Sequence, residues 1–112
     1  MKNIIALIVL IFSVSAFSAT INYGLDQNGH ECSMTSLKQA DDSLLVLVKA
    51  DDLSTLFKLD PVSDTEYLYE SFLDEEDGGK GISLYVDLDP ENFGYTYYSK
   101  FETEKTVQCK LK

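Results

Sequence analysis

From residue 20 onward, apolar residues recur at every second position in short stretches, set apart about every eight to twelve residues by acidic, Gly, Pro or Asn punctuation. Alternation of this kind buries one face of an extended strand and wets the other. It predicts strands over residues 20 to 25, 31 to 37, 44 to 50, 53 to 59, 65 to 73, 82 to 88, 93 to 101 and 105 to 111. The expected fold is all-β: about eight strands in an antiparallel meander, forming a small barrel or a two-sheet sandwich. Curling the sheet on itself removes the free edges that invite aggregation.

Registers follow from asking which turn lengths set apolar side chains opposite one another. With Asp51 and Asp52 as a two-residue loop, Ala50 faces Leu53, Val48 faces Thr55, Val46 faces Phe57 and Leu44 faces Leu59. With Asp89 to Asn92 as the loop, Leu88 faces Phe93, Val86 faces Tyr95, Leu84 faces Tyr97 and Ile82 faces Ser99. With Glu102 to Glu104 as the loop, Ser99 faces Val107, Tyr97 faces Cys109 and Tyr95 faces Leu111. One stretch reads two ways. Ser63 and Glu66 have capping-box spacing, Val62 and Tyr67 have staple spacing, and Gly78 follows as a stop, so a short helix near 64–76 competes with a strand. Four acids from Asp74 to Asp77 would sit at that helix's C-terminus, where the macrodipole disfavours them, and the Tyr and Phe content suits a strand; the strand is the favoured reading.

The first residues differ from the rest. Met1 to Asn3 carry one positive charge, Ile4 to Phe12 are apolar, and Ser13 to Ala19 are mostly small. This is the pattern of a signal peptide over 1–19, with cleavage after Ala16 or Ala19 and a single β domain over 20–112. The apolar run is short of the roughly 20 residues a spanning helix needs, and Cys32 lies well beyond it, so no membrane anchor is expected in the mature form. A secreted or periplasmic destination gives the two cysteines, Cys32 and Cys109, an oxidising setting, and one disulfide between them is the simplest use of an even count.

Charge narrows the partners. The chain has 112 residues, 19 acidic side chains and a formal net charge of -10, and all of its cationic side chains apart from the single histidine are lysines. Such a polyanion is repelled by phosphate backbones, so no nucleic-acid partner is expected. It attracts basic proteins instead. The catalytic stock is thin: no serine lies in a G-x-S-x-G context, His30 sits in the turn sequence Asn28-Gly29-His30-Glu31, and Asp87 with Asp89 form an unremarkable i, i+2 carboxylate pair. No catalytic residues are assigned, and a small hydrolase is the least favoured reading.

Three candidate sites remain. The hairpin around residue 90 sets Tyr85 and Tyr98 diagonally on its outer face, and paired tyrosines anchor interfaces as well as sheets. The register that buries Val46 and Phe57 leaves Leu45, Leu47 and Leu56 outside beside Lys49 and Lys58, a patch that calls for a cover, from another segment of the chain or from a partner. Asp87, Asp89 and Glu91 resemble the opening of an EF-hand loop. The sixth position, however, is Asn92 instead of Gly and the twelfth is Tyr98 instead of Glu. No cofactor is expected; weak calcium binding there, or at Asp74 to Asp77, in a structural or envelope protein is the second reading. In size, leader, single disulfide and antiparallel strands the chain resembles the small periplasmic β-barrel inhibitors of lysozyme, a likeness of architecture that implies a non-enzymatic, inhibitor-like module for a cationic protein.

Overall fold

The computed structural model describes residues 19–73 and 79–112. The leader reading falls on residues 1–18 and the acids Asp74 to Asp77 fall in the other gap, so both lie outside the described residues. Eight strands follow in order: β1 (Thr20–Asp26), β2 (Glu31–Lys38), β3 (Leu44–Ala50), β4 (Leu53–Pro61), β5 (Glu66–Phe72), β6 (Gly81–Asp87), β7 (Gly94–Lys100) and β8 (Glu104–Leu111). Each pairs antiparallel with the next, and β1 pairs with β8 to close a barrel.

The β3–β4 register is the one expected, from Ala50 opposite Leu53 to Leu44 opposite Leu59. In the β6–β7 hairpin Val86 lies opposite Tyr95, Leu84 opposite Tyr97 and Ile82 opposite Ser99. Leu88 and Phe93 fall just past the end of that ladder and pack, partly buried, against the core. The β7–β8 register differs. Tyr95 lies opposite Cys109, Tyr97 opposite Val107 and Ser99 opposite Lys105, because the loop is Phe101 to Thr103 rather than Glu102 to Glu104. The slip is by two residues, which keeps every side chain on its own face, so hydrophobic alternation is blind to it. What separates the two registers is the loop end, where Lys100 now faces Glu104.

The stretch from Glu66 to Phe72 is a strand. The capping-box residues still bond as their chemistry suggests, with the Ser63 hydroxyl donating to Glu66 Oε1 (2.8 Å) and accepting from the Glu66 N–H (3.2 Å). Here they build the turn between β4 and β5 instead of starting a helix, and the main-chain N–H groups of Val62 and Ser63 donate to the Glu66 carbonyl.

The interior is filled, not hollow. Met34, Leu59, Leu84, Val46, Val48 and Val86 are fully buried, with Tyr67, Tyr95 and Tyr97 completing the packing. The Tyr95 hydroxyl crosses the barrel to donate to the Lys49 carbonyl (3.2 Å). At one mouth Lys38 donates to the Tyr67 hydroxyl (2.5 Å), its ammonium 4.9 Å from the ring centre. Truncation tests which face is which. Leu84→Ala is expected to cost about 3 kcal/mol and Leu56→Ala less than about 1 kcal/mol in urea unfolding, since the first leaves a cavity and the second, 59% exposed, leaves none.

Cys32 and Cys109 form the expected disulfide, with Cα atoms 6.1 Å apart and 77 positions between them in sequence. The two sit on β2 and β8, with β1 between: Cys32 is opposite Gly24 and Cys109 opposite Asp26. Next-nearest strands in a flat sheet stand about 9.6 Å apart, so the wall folds sharply along β1. Gly24 permits the fold, because a Cβ there would lie 1.8 Å from the Lys110 carbonyl oxygen. Lying on the outside of this corner, Ile21, Tyr23 and Leu25 are each more than half exposed.

Candidate functional site

The outer face of β5, β6 and β7 gathers the tyrosines and an unusual carboxylate pair. Tyr85 lies opposite Thr96 and Tyr98 opposite Ser83, which makes the tyrosines diagonal neighbours as expected. Tyr98 packs against Phe72, ring centres 6.2 Å apart. Glu66 lies directly opposite Asp87 across β5 and β6. Like charges at such a pair repel. The Tyr85 hydroxyl stands between them, donating to Glu66 Oε2, with Asp87 Oδ2 3.5 Å away.

This arrangement shifts both partners. The hydrogen bond to Glu66, with smaller contributions from burial and from the two negative charges, pushes the Tyr85 phenol up to about 12. The Glu66 carboxyl is held below its ordinary value, first by Tyr85 and then by Ser63. Glu66 is therefore fixed, ionised, by one donor on each oxygen. The ion pairs among the described residues are His30 with Asp51, Lys58 with Asp41 and Lys105 with Asp52, and none reaches Glu66 or Asp87.

A groove of about 670 Å³ opens beside this pair. On the outer face Leu25, Lys110, Gly94 and Asp87 fall in one row across β1, β8, β7 and β6. Gly94 contributes no side chain, so the row has a gap between Lys110 and Asp87. Tyr85, Thr96 and Gln108 line one side of it and Glu91 to Phe93 the other. The Gln27 amide extends the wall by imitating a strand: it donates to the Thr106 carbonyl (2.6 Å) and accepts from the Gln108 N–H (2.9 Å). The groove is lined by the Asp26, Asp87 and Glu91 carboxylates, by neutral hydrogen-bonding groups and by one cation, Lys110, so acids outnumber cations where an ammonium or guanidinium group would enter.

The leucines are placed as expected but lack a cover. Leu47 faces Leu56 across β3 and β4, and the row continues through Thr35 to Ile21. Leu45 and Leu47 are half-buried between neighbours, Leu56 is exposed, and among the described residues no element lies over them.

Asp87, Asp89 and Glu91 do not gather round one point among the described residues. Asp87 Oδ1 accepts from the Asp89 N–H (2.9 Å), and Asp89 Oδ1 accepts from the Glu91 N–H (3.0 Å). Both carboxylates thereby brace the β6–β7 turn. The set that does converge is one that sequence reading passed over: Asp26, His30 and Asp51, with a ligand atom from each within 4.8 Å of the others. Asp26 Oδ1 accepts from the N–H groups of Asn28 (2.8 Å) and His30 (2.9 Å), holding the β1–β2 turn. His30 Nδ1 lies 3.1 Å from Asp51 Oδ2 in the β3–β4 turn. The signal was available, since an up-and-down meander sends these two turns to the same end.

The His30–Asp51 hydrogen bond raises the imidazole above its ordinary value of 6.5, with the Asp51 and Asp26 charges adding to it. A group whose folded value is raised stabilises fully below the unfolded value and loses that contribution as pH rises through the folded one. His30→Asn should therefore lower the melting temperature at about pH 5.5 and leave it unchanged at about pH 8.5. An equal drop at both pH values would show that the imidazole acts without its charge.

No protein-family description matches this chain, and neither the curated proteins nor the solved structures yield a match.

Proposed function

We propose that the chain is an exported, non-enzymatic binding module that holds a basic protein partner against its β5–β7 face. The observation that carries this reading is the Glu66–Asp87 pair, two carboxylates set opposite one another with a shared phenol and, among the described residues, no ion pair to either. Placing like charges in register is unfavourable in the free protein, and an arriving cation relieves it. The net charge of -10 adds long-range attraction. Export rests on the leader pattern, and the Cys32–Cys109 disulfide suits an oxidising compartment.

Two alternatives are weaker on the same residues. Asp87 and Asp89 each commit an oxygen to a turn N–H, which favours protein binding over calcium. A hydrolase would build on the His30–Asp51 pair. His30, however, has no hydroxyl nucleophile hydrogen-bonded to it among the described residues.

Basic proteins, a lysozyme first because of the likeness in architecture, serve as probes by calorimetry. Affinity is expected to fall about tenfold or more between low salt and roughly 0.3 M salt. Glu66→Gln with Asp87→Asn, amides that keep a carbonyl oxygen for the Ser63, Tyr85 and Asp89 donors, should weaken binding about tenfold in protein that melting shows to be folded. Affinity indifferent to both salt and the double substitution would reject the reading.

A further inference from the structure

The barrel wall is incompletely bonded at one seam. Among the described residues β4 and β5 pair at only two positions, Asp60 with Leu68 and Pro61 with Tyr67, while the neighbouring ladders β3–β4 and β5–β6 run the length of their strands. Two inward positions confirm the opening. Thr55, opposite Val48, and Ser71, opposite Ile82, face the barrel interior by register, yet both are exposed. Behind the seam Phe57 and Tyr69 bring their rings to 5.2 Å, so side chains close the core there in place of main-chain bonds.

Strand alternation says which groups are left over. The residues flanking a two-residue hairpin loop bond to each other, so Leu53, Thr55, Phe57 and Leu59 bond to β3, and the N–H and C=O of Ser54, Leu56 and Lys58 point toward β5. On β5, Leu73 donates to the Lys80 carbonyl, which puts the odd-numbered residues on the β6 side and turns Glu70 and Phe72 toward β4. All five of these residues are exposed. Two unpaired strand edges thus face the same opening. Residues 53–59 of β4 offer an edge about 20 Å long, enough for a strand of ordinary length.

The flanks indicate what fits. Leu56 (59% exposed), Phe72 (43%) and Leu73 (54%) stand beside the opening, three large apolar side chains without a cover among the described residues. Charges of both signs stand around it: Glu70 and Asp60, against Lys49 opposite Ser54, Lys80 across from Leu73, and Lys58, which Asp41 holds at 3.0 Å. The net charge of -10 sets the long-range preference for a cation. We propose that the β4–β5 seam receives an extended, lysine-bearing strand of the protein partner, which pairs with the unbonded edges by β-augmentation and sets a lysine against Glu70. This rests on the cationic-partner reading above and adds how that partner is held. A second copy of the chain is a poorer occupant, since each copy carries the same net charge of -10.

Three synthetic peptides separate the possibilities: alternating Lys–Val, alternating Thr–Val, and the Lys–Val peptide N-methylated at alternate residues. In the free protein, amide hydrogens of Ser54, Leu56, Lys58, Glu70 and Phe72 are expected to exchange quickly beside those of Val46 and Leu84. Saturating Lys–Val peptide should slow them at least tenfold. N-methylation, which keeps charge and composition but removes strand donors, should weaken binding tenfold or more, and the Thr–Val peptide should bind more weakly than Lys–Val. Seam amides already protected in the free protein, or Lys–Val binding that leaves them unchanged and tolerates N-methylation, would overturn strand addition while leaving the cationic partner standing. Equal binding of Thr–Val would keep strand addition and remove the preference for lysine. Dimerisation that protects the same amides without peptide would assign the seam to a second copy and overturn the proposal.

Discussion

Replacing Cys32 and Cys109 with alanine is expected to cost about 3 to 4.5 kcal/mol, the upper figure being the chain-entropy value for a closed loop of 77 positions. A domain this small buries a modest share of its surface and has few kcal/mol to spare. At about 4 to 8 °C per kcal/mol, the melting temperature should fall by roughly 12 °C or more. The position of the bridge adds a structural reason. The β1–β8 ladder runs only from Gly24 to Asp26, the shortest but one in the barrel. The disulfide joins β2 to β8 directly behind that junction, so its loss loosens the closure as well as enlarging the unfolded ensemble. Thermal unfolding of the double variant beside the oxidised protein measures this. A shift under about 3 °C would mean that the barrel closes without the bridge.

Gly24→Ala is the second substitution expected to be severe, at about 3 kcal/mol or more despite adding one methyl group. The added carbon would lie 1.8 Å from the Lys110 carbonyl oxygen, 2.7 Å from its carbon and 2.9 Å from Leu111 Cα, all of them main chain. A flexible side chain could swing aside; a paired strand cannot move without giving up its ladder. Gly29→Ala is the control. There a Cβ meets nothing within 4 Å, but φ is +80°, so the cost is the left-handed penalty alone, about 1 to 2 kcal/mol. Urea unfolding should rank Gly24→Ala clearly below Gly29→Ala in stability. The reverse order would mean that β1 and β8 are not packed this closely.

Much of the fold was legible because strands with one buried face announce themselves by alternation. The β3–β4 and β6–β7 registers could be read because an odd slip exposes Val46, Phe57, Leu84 and Tyr95 together. The β7–β8 register could not, since a slip of two residues exposes nothing. The helix signal at Ser63 and Glu66 was real chemistry put to another use: the same two side chains that cap a helix also tie a tight turn.

The candidate site was legible only in part. The register alone places Tyr85 and Tyr98 on one outer face. What singles out Tyr85 is Glu66, which comes from β5, and the β5–β6 ladder follows a connection too long for turn chemistry to fix. The seam was hidden for a different reason. The pattern of apolar residues in β4 and β5 is that of any half-buried strands, and nothing in it reports whether two adjacent edges are bonded. Phe57 and Tyr69 show how the core is kept shut without those bonds, and that is visible only once their rings are placed. The His30 cluster depends on two turns meeting at one end, a consequence of topology, not of local sequence.

The central claim is a wall of eight strands that closes between β1 and β8, and nuclear Overhauser contacts in the oxidised protein test it most directly. Cross-strand contacts are predicted between Gly24 and Leu111, between Asp26 and Cys109, and between Tyr95 and Cys109. Contacts from β1 to β2 alone, with none to β8, would contradict the closed barrel and with it the placement of every site described.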